Sequence, residues 1–187
     1  MTDILLIQSC QKNERSAQRQ LFELHYGRLM SLCIRYAKNH EQAKDMLSKG
    51  FAKICLDISE FTKEQDFDNW MMKKMVEFAV NYLRERRQEY FITSTVRIAE
   101  ETMTTEFDLF HQEIEPDESR LSAQDYIKAL QMLPPSFRAV YNMSVIEGYS
   151  DDQVSQNLEI SVDTCRYNLS KAKSAYYKNL QQIQSAA

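Results

Sequence analysis

Residues 133–173 read LPPSFRAVYNMSVIEGYSDDQVSQNLEISVDTCRYNLSKAK, and the helix-breaking and capping residues in this stretch decide the fold. Leu133 ends one helix, because a residue that precedes a proline avoids the helical region. Pro134-Pro135 also suits the start of the next helix, predicted over Ser136 to Glu147 with Val145 on its inward face. Gly148 is the natural left-handed residue after that helix.

Two further helices are predicted after the glycine. Ser150, with Gln153 three residues later, has the spacing of a capping box and predicts a short helix through Leu158. After a tight turn, Ser161 or Val162 opens a last helix whose outer face is polar and basic. This order of elements is typical of a helix-turn-helix, whose second helix fits the major groove of DNA.

Apolar residues recur at or near helical spacing in three earlier segments, which predicts three longer helices. The first segment carries Leu21, Leu24, Leu29, Leu32 and Tyr36. The second carries Ala43, Leu47, Phe51, Ile54 and Ile58. The third begins near Asp68 or Asn69 and ends at the basic residues Arg84, Arg86 and Arg87.

Composition supports an all-α protein, since only 3 glycines and 3 prolines occur in 187 residues. No apolar run is long enough to span a membrane, and the start, Met1 to Ile4, lacks the features of a secretory signal. The four cysteines are widely spaced and the three histidines lie apart, so we predict reduced core cysteines and no metal or other cofactor.

The net charge of −4 is unevenly distributed along the chain. Residues 1–88 carry a net +3, residues 89–119 a net −8 and residues 120–187 a net +1. The acidic segment also loses the helical periodicity. We therefore predict two small helical domains, over residues 1–89 and 120–187, joined by a flexible acidic linker over 90–119.

Several sequence blocks, taken together, carry a family resemblance. They are LFELHY at 21–26, CIRYAKN at 33–39, DML at 45–47, GF at 50–51, FDNW at 67–70, LPP at 133–135 and IEGYS at 146–150. In this order and at this spacing, the chain resembles the extracytoplasmic-function group of bacterial RNA polymerase sigma factors, in the form common in Bacteroidetes. The resemblance covers both predicted domains and leaves out only the linker.

The resemblance implies a cytoplasmic, non-enzymatic protein that binds core RNA polymerase and directs promoter-specific initiation. In the family, the helix matching about residues 40–58 docks on the clamp helices of the polymerase large subunit. The residues assigned here to that contact are Asp45, Met46, Ser48, Lys49 and Lys53. The acidic linker would extend toward the polymerase cleft, where negative charge can mimic nucleic acid.

The same resemblance implies two contacts with promoter DNA. The loop over about 60–69 and the helix after it would meet the melted minus-ten element, because aromatic and basic side chains suit single-stranded DNA. The residues of those types here are Trp70, Lys73, Lys74, Arg84, Arg86 and Arg87. The helix-turn-helix would read the minus-thirty-five duplex through base and phosphate contacts. Its candidate residues are Arg166, Asn168, Lys171 and Lys173.

Some of these residue types also have simpler structural explanations. Trp70 can pack in the core, and Lys73 and Lys74 can form the solvated face of an amphipathic helix. Four positions also depart from the family pattern. Ser48-Lys49 stands where a Gln-Glu or Gln-Asp pair is usual, Glu77 replaces an asparagine, and Glu159 replaces the turn glycine.

The departures leave two explanations open. Either the polymerase differs to match, or promoter readout is weak and a DNA-bound or RNA-guided partner positions the factor. An anti-sigma factor is a further partner that the resemblance allows. Other classes are an enzyme, a stand-alone repressor and a sigma-like adaptor that does not initiate. No phosphate-binding loop, nucleophile elbow or metal-ligand cluster favours the enzyme, and a repressor would need its own dimer surface.

Overall fold

The structure, a computed structural model, describes residues 3–62, 66–85 and 121–186. Within these ranges the regular secondary structure is helical, which confirms the predicted all-α fold. The chain divides into two compact units, Met1–Tyr82 and Leu83–Ala187. The predicted domain boundaries at 89 and 119, with the acidic linker between them, lie outside the described residues.

The first unit is built from four α-helices and one 3₁₀ turn within the described residues. They are α1 (Ile4–Gln11), α2 (Arg15–Tyr36), α3 (His40–Asp57), a 3₁₀ turn (Ile58–Glu60) and α4 (Phe67–Glu85), of which the residues up to Tyr82 belong to this unit. Side chains cap the starts of α1, α3 and α4. The side chain of Asn39 accepts a hydrogen bond from the Gln42 amide at 2.9 Å, which satisfies one free donor at the start of α3. The predicted helix break at Asn39 or His40 is thereby confirmed.

Helix α4 begins slightly earlier than its predicted start at Asp68 or Asn69. Asp66 takes the capping role, since its side chain accepts from the Asn69 amide at 2.8 Å. Asp68 lies in the first turn instead, where its carboxylate is 3.1 Å from Nη1 of Arg28. The cap therefore lies two residues before Asp68 and leaves that side chain available to contact α2.

The inward face of α2 includes a histidine that the apolar pattern did not identify. Leu21, Leu29 and Tyr36 are buried as predicted, but Leu24 is 60% exposed. His25 is buried in its place, with 4% of its surface exposed. Each helical residue turns by about 100°, so Leu24 points well away from a face centred on its neighbour. Leu24 belongs to the apolar pattern that predicted the helix, but it lies outside the buried face of α2.

A glycine allows α3 and α4 to approach closely. A Cβ built on Gly50 would lie 2.5 Å from Sδ of Met75 and 2.9 Å from Cδ1 of Phe78. Both distances are shorter than van der Waals contact, so a residue with a Cβ would require Met75 and Phe78 to shift. The glycine therefore allows α4 to lie close to α3, the helix that is predicted to contact the polymerase.

The second unit contains α5 (Ala123–Gln131), α6 (Pro135–Tyr141), a π-helical turn (Asn142–Ile146), α7 (Asp151–Leu158) and α8 (Val162–Ser185). Capping boxes at Ser122 and Ser150 start α5 and α7, and the predicted pairing of Ser150 with Gln153 is confirmed. A cluster of buried side chains holds the unit together: Ala129, Leu130, Leu133, Tyr141, Ala172, Tyr176 and Leu180.

The helix predicted from Ser136 to Glu147 changes its winding part-way. From Asn142 onward the backbone forms a π-helical turn, in which the Glu147 amide donates to the Asn142 carbonyl at 2.9 Å. The wider turn rotates Val145 outward, so this residue is 45% exposed and its predicted inward position was wrong. Gly148 then ends the segment with a φ of +74°, the left-handed conformation predicted for it.

Candidate nucleic-acid interface

Helices α7 and α8 form the predicted helix-turn-helix, joined by a turn that contains a left-handed residue. Glu159 has φ 53° and ψ 46°, as its place in the turn predicted. The Ile160 amide donates to the Ser155 carbonyl at 3.1 Å, and Ser161 caps α8 by accepting from the Thr164 amide at 3.0 Å. A left-handed residue with a Cβ costs about 1 kcal/mol, so the hydrogen bonds and packing must offset this strain.

Three of the four predicted duplex-reading residues lie on accessible parts of α8. Arg166 has 65% of its side chain exposed, and Lys173 is also exposed. Lys171 is half-buried, and its Nζ lies 5.6 Å from the centroid of the Tyr167 ring. The exposed arginine and lysine leave the helix with basic groups that can meet DNA.

Asn168 does not belong to this surface. It is only 8% exposed and lies three residues after Cys165 and four before Ala172, both of which are fully buried. Residues at these steps share one helix face, and here that face is the inner one. The prediction that Asn168 contacts the duplex was therefore wrong, because its side chain lies on the inner face of the helix.

A carboxylate from α7 holds the exposed arginine of α8. Nε of Arg166 donates to Oδ2 of Asp151 at 2.9 Å, across 15 residues of sequence. This hydrogen bond, followed by the negative charge of Asp151 itself and then of Asp163 and Asp152, raises the pKa of the Arg166 guanidinium. Helix α8 therefore presents its exposed arginine within an acidic neighbourhood.

On α3, the lysine that departs from the family pattern is paired within the molecule. Nζ of Lys49 lies 3.0 Å from Oδ2 of Asp45, and the Tyr82 hydroxyl donates to the same oxygen at 2.6 Å. Lys53 forms a similar pair with Asp57 at 2.7 Å, and Ser48 is exposed. The charge introduced by Lys49 is thus balanced by its neighbour Asp45.

Met46 cannot contribute to a contact on the outer face of α3. Its side chain is fully buried, with 0% exposure, among the inward residues Ala43, Leu47 and Ile54. Ala43, three residues before it, and Ile54, eight residues after it, lie on the same helix face and are also core residues. The helical register therefore places Met46 inside. The assignment of Met46 to the polymerase contact was wrong, and its role is in packing.

An open cleft of about 560 Å³ lies beside the start of α4. Its walls are formed by Glu60, Asp66, Asn69, Trp70, Lys73, Lys74 and Glu77. Trp70 is half-buried: its ring stacks on Phe67 at 5.7 Å between centroids and meets Phe61 edge-on at the same distance. The tryptophan therefore packs in the core and also lines the cleft, and its contact with melted DNA stays a prediction.

The two lysines of the cleft have different surroundings. Nζ of Lys74 lies 2.7 Å from Glu60 and 3.8 Å from Asp57, and the hydrogen bond to Glu60 is the main cause of its raised pKa. Lys73 is exposed, and no carboxylate of the described ranges pairs with it. With Asp66 and Glu77 also present, carboxylates outnumber ammonium groups on the walls, so the cleft as a whole does not attract phosphate strongly.

The remaining predicted minus-ten residues lie near or beyond the end of α4. Arg84 is partly exposed in the last turn, where a cation suits the negative end of the helix dipole. Arg86 and Arg87 lie outside the described residues. The basic end of the helix is thus described only as far as Glu85.

The cysteines occupy structural positions. Cys10, Cys33 and Cys165 are buried and Cys55 is half-buried, all as free thiols. Burial raises the pKa of Cys33 to about 12 and that of Cys55 to about 11, which keeps both protonated and poorly nucleophilic. In the parts of the chain that the structure describes, no group of three side chains is arranged to hold a metal ion, and no helix is long and apolar enough to cross a membrane.

Comparison with known proteins identifies the family. The family described as Sigma-70 region 2 matches residues 21–89, and Sigma-70, region 4 matches residues 123–175. The ECF RNA polymerase sigma factor SigW of Bacillus subtilis is 19% identical, over 95% of this chain and 96% of its own length. The RNA polymerase sigma-H factor of Pseudomonas aeruginosa is 24% identical, over 97% of this chain and 95% of its own length. The chain belongs to the extracytoplasmic-function sigma factors.

A solved sigma factor shares the fold. The sigma factor RpoE of Bartonella quintana, solved in complex with the anti-sigma factor NepR, aligns over 87% of this chain and 96% of its own. The TM-score is 0.53 at 18% sequence identity, which supports the same helical architecture.

Membership of the family establishes the general function. As an extracytoplasmic-function sigma factor, the protein binds core RNA polymerase and promoter DNA and directs transcription initiation. The family consists of non-enzymatic transcription factors. The narrower Bacteroidetes type stays a prediction.

The sequence did not reveal two side chains that pair with candidate site residues. They are Asp151, which pairs with Arg166, and Tyr82, which pairs with Asp45. Asp151 directly follows a capping serine, so its position is fully explained by the preference for acids at a helix N-terminus. Tyr82 has an apolar ring at a core step of α4, which gave no hint that its hydroxyl reaches Asp45. The one general signal was that tyrosine combines an apolar ring with a polar hydroxyl, and a buried hydroxyl needs a hydrogen-bond partner.

Proposed function

We propose that α7 and α8 read duplex promoter DNA at the minus-thirty-five element, with Arg166 as the principal base contact. The observation that carries this proposal is an exposed guanidinium on the second helix of a helix-turn-helix. Arginine can donate two hydrogen bonds to one guanine in the major groove, and Lys173 can neutralise a phosphate nearby. The revised set excludes Asn168, which is buried.

The cleft beside α4 is proposed to take part in recognition of the melted minus-ten element. Trp70 contributes a half-buried ring, and Lys73 contributes an exposed cation at the same cleft. Because carboxylates outnumber lysines there, a flipped base is a better match for the cleft than the phosphate backbone. Arg84, together with Arg86 and Arg87 beyond the described residues, is proposed to contact that backbone.

The outer face of α3 is proposed as the polymerase contact. Asp45, Ser48, Lys49 and Lys53 remain in this set, without the buried Met46. The pairing of Lys49 with Asp45 supports a contact that keeps its local charge near zero, so the unusual lysine need not repel the polymerase. We place these activities in the cytoplasm, in domains spanning 1–89 and 120–187 with the linker 90–119 between them.

The duplex-reading role can be tested with two promoter templates, one fully double-stranded and one already opened around the start site. Arg166→Ala should reduce transcription from the duplex template more than from the pre-opened template, because the second needs less help from upstream contacts. Lys178→Ala, which removes an exposed cation from the same helix, is the matched control. Equal loss of activity on both templates would contradict a duplex-reading role for Arg166.

A second candidate is a sigma factor that a DNA-bound or RNA-guided partner protein positions. It is favoured by the acids in the first turns of α7 and α8, because Asp151, Asp152 and Asp163 all act electrostatically on Arg166. Negative charge at this place weakens phosphate attraction, and a tethered partner could supply the missing affinity. An anti-sigma factor is a further proposed partner, as in the solved complex of the Bartonella protein. Transcription starts that follow the position of another protein would favour the recruited factor.

A further inference from the structure

We propose that Asp151 is a positioning residue that determines base specificity: it holds the Arg166 guanidinium so that the two terminal nitrogens face one base pair. The inference rests on the proposed function, since it requires α8 to lie in the major groove. Asp151 comes from the first turn of α7, whereas Arg166 is on α8. Their contact therefore couples the two helices of the reading motif.

The geometry of the contact leaves the base-reading part of arginine available. Nε of Arg166 donates to Oδ2 of Asp151 at 2.9 Å, and within the described ranges this is the one hydrogen bond that the Arg166 side chain makes. A guanidinium has five N–H donors, so four remain on Nη1 and Nη2. Guanine presents O6 and N7 as neighbouring acceptors in the major groove, a pair that two terminal nitrogens can satisfy together.

The contact should affect specificity more than stability. Both side chains are partly exposed, at 65% and 34%, and exposed ion pairs contribute little to folding. Ordering one long side chain on binding lowers affinity by about 2- to 12-fold. Asp151 restricts Arg166 before DNA arrives, so part of this loss is avoided at the base pair that the held guanidinium fits.

The same carboxylate should weaken overall attraction to DNA, because its charge repels phosphate. Loss of Asp151 should therefore reduce discrimination between base pairs without reducing general affinity. A residue that merely stabilised α7 would not produce this combination. Ser150 and Gln153 already supply the capping box of that helix, so the cap does not depend on Asp151.

The chain contains a matched control in Asp152. Both acids lie in the first turn of α7 and both suit the positive end of the helix dipole. Both also act electrostatically on Arg166, but the hydrogen bond to its guanidinium comes from Asp151. Asp152→Ala therefore removes the same charge from the same turn while leaving the proposed positioning contact in place.

The experiment uses holoenzyme reconstituted from the full chain and core RNA polymerase. The template is a linear duplex promoter library randomised in the upstream element, and transcripts are sequenced to obtain the preference at each base pair. Arg166→Ala should abolish the preference at one base pair. Asp151→Ala should lower that same preference about 3- to 10-fold, with yield from mismatched promoters unchanged or increased. Asp152→Ala should keep the preference.

Asp151→Asn tests the contact itself, because its side-chain oxygen can still accept from Nε. It should retain at least half of the preference, and a loss equal to that of the alanine variant would overturn the proposal. In the Arg166→Ala background, Asp151→Ala should cause no further loss of preference. Asp151→Ser, which suits a helix start but is too short to reach Arg166, takes the place of the alanine variant if that protein unfolds.

The outcomes separate this inference from the proposed function. If Arg166→Ala changes no base preference, the duplex-reading role of Arg166 fails and the inference fails with it. If Arg166→Ala removes a preference that Asp151→Ala keeps within about 2-fold of the parent, only the positioning role fails. Equal losses for Asp151→Ala and Asp152→Ala would assign the effect to charge and would also overturn the positioning role.

Discussion

Replacing Gly50 by alanine should destabilise the first unit, even though the same change usually stabilises a helix. The added Cβ would lie 2.5 Å from Sδ of Met75, which is fully buried. Met75 has little room to move, because Sγ of Cys33 lies 3.9 Å from that sulfur. The methyl group would therefore force α3 and α4 apart or displace a core side chain.

The expected size of the effect follows from two opposing contributions. Overpacking a well-filled core costs about 1–3 kcal/mol, and the upper part of that range applies because the contact is far below van der Waals distance. Alanine in place of glycine within a helix recovers about 1 kcal/mol. The net loss in the free energy of unfolding should thus be about 1–2 kcal/mol.

Gly27→Ala provides a control with the opposite sign. A Cβ at Gly27 would have nothing within 4 Å, so only the helix preference acts, and stability should rise by up to about 1 kcal/mol. Urea unfolding followed by tryptophan fluorescence measures both variants, because the single tryptophan, Trp70, packs in this unit. If Gly50→Ala is as stable as the parent protein, or if both variants shift the midpoint in the same direction, the close approach of α3 and α4 is refuted.

Two further predictions concern the cleft and the buried histidine of the first unit. Lys73→Ala should weaken binding of holoenzyme to a pre-opened template and reduce its salt dependence by about one counterion, whereas Lys74→Ala should change little because Glu60 holds its ammonium group. Equal weakening by the two variants in a salt titration would contradict this. Burial lowers the pKa of His25, with Asp68 partly opposing, so the unfolded chain binds more protons. Stability from His25 should be present above about pH 6.5 and decline as pH falls below it. His25→Gln should therefore flatten the acid side of the stability curve, and an unchanged slope would count against it.

The helix boundaries were predictable wherever the chain marks them chemically. Ser150 with Gln153, Gly148 and the two prolines all have the roles that their types favour, because caps and left-handed turns depend on neighbours within a few residues. The start of α4 was missed narrowly, since Asp66 and Asp68 are both suitable caps and only the fold decides between them.

Errors in the candidate site arose where helix registers were assigned by residue type. Met46 and Asn168 were chosen for their chemistry or their place in a family block, but both lie on inward faces. The apolar residues at helical spacing around them indicate which face is buried, because Cys165 and Ala172 lie on the same face as Asn168.

Pairings between helices could not be predicted from the sequence. Asp151 and Arg166 are separated by 15 residues, and Tyr82 and Asp45 by 37. Each of these residues has an ordinary local explanation as a helix-start acid, a surface cation or a core ring. Their contacts depend on the crossing of two helices, which local pattern does not specify.

The most direct test of the central claim is reconstitution of the full chain with core RNA polymerase, followed by mapping of every transcript start on genomic DNA. A sigma factor with two DNA-reading units should direct initiation at sites that share a two-part upstream motif, and Arg166→Ala should weaken the upstream half. If the protein neither joins the polymerase nor changes where transcripts begin, the account is contradicted.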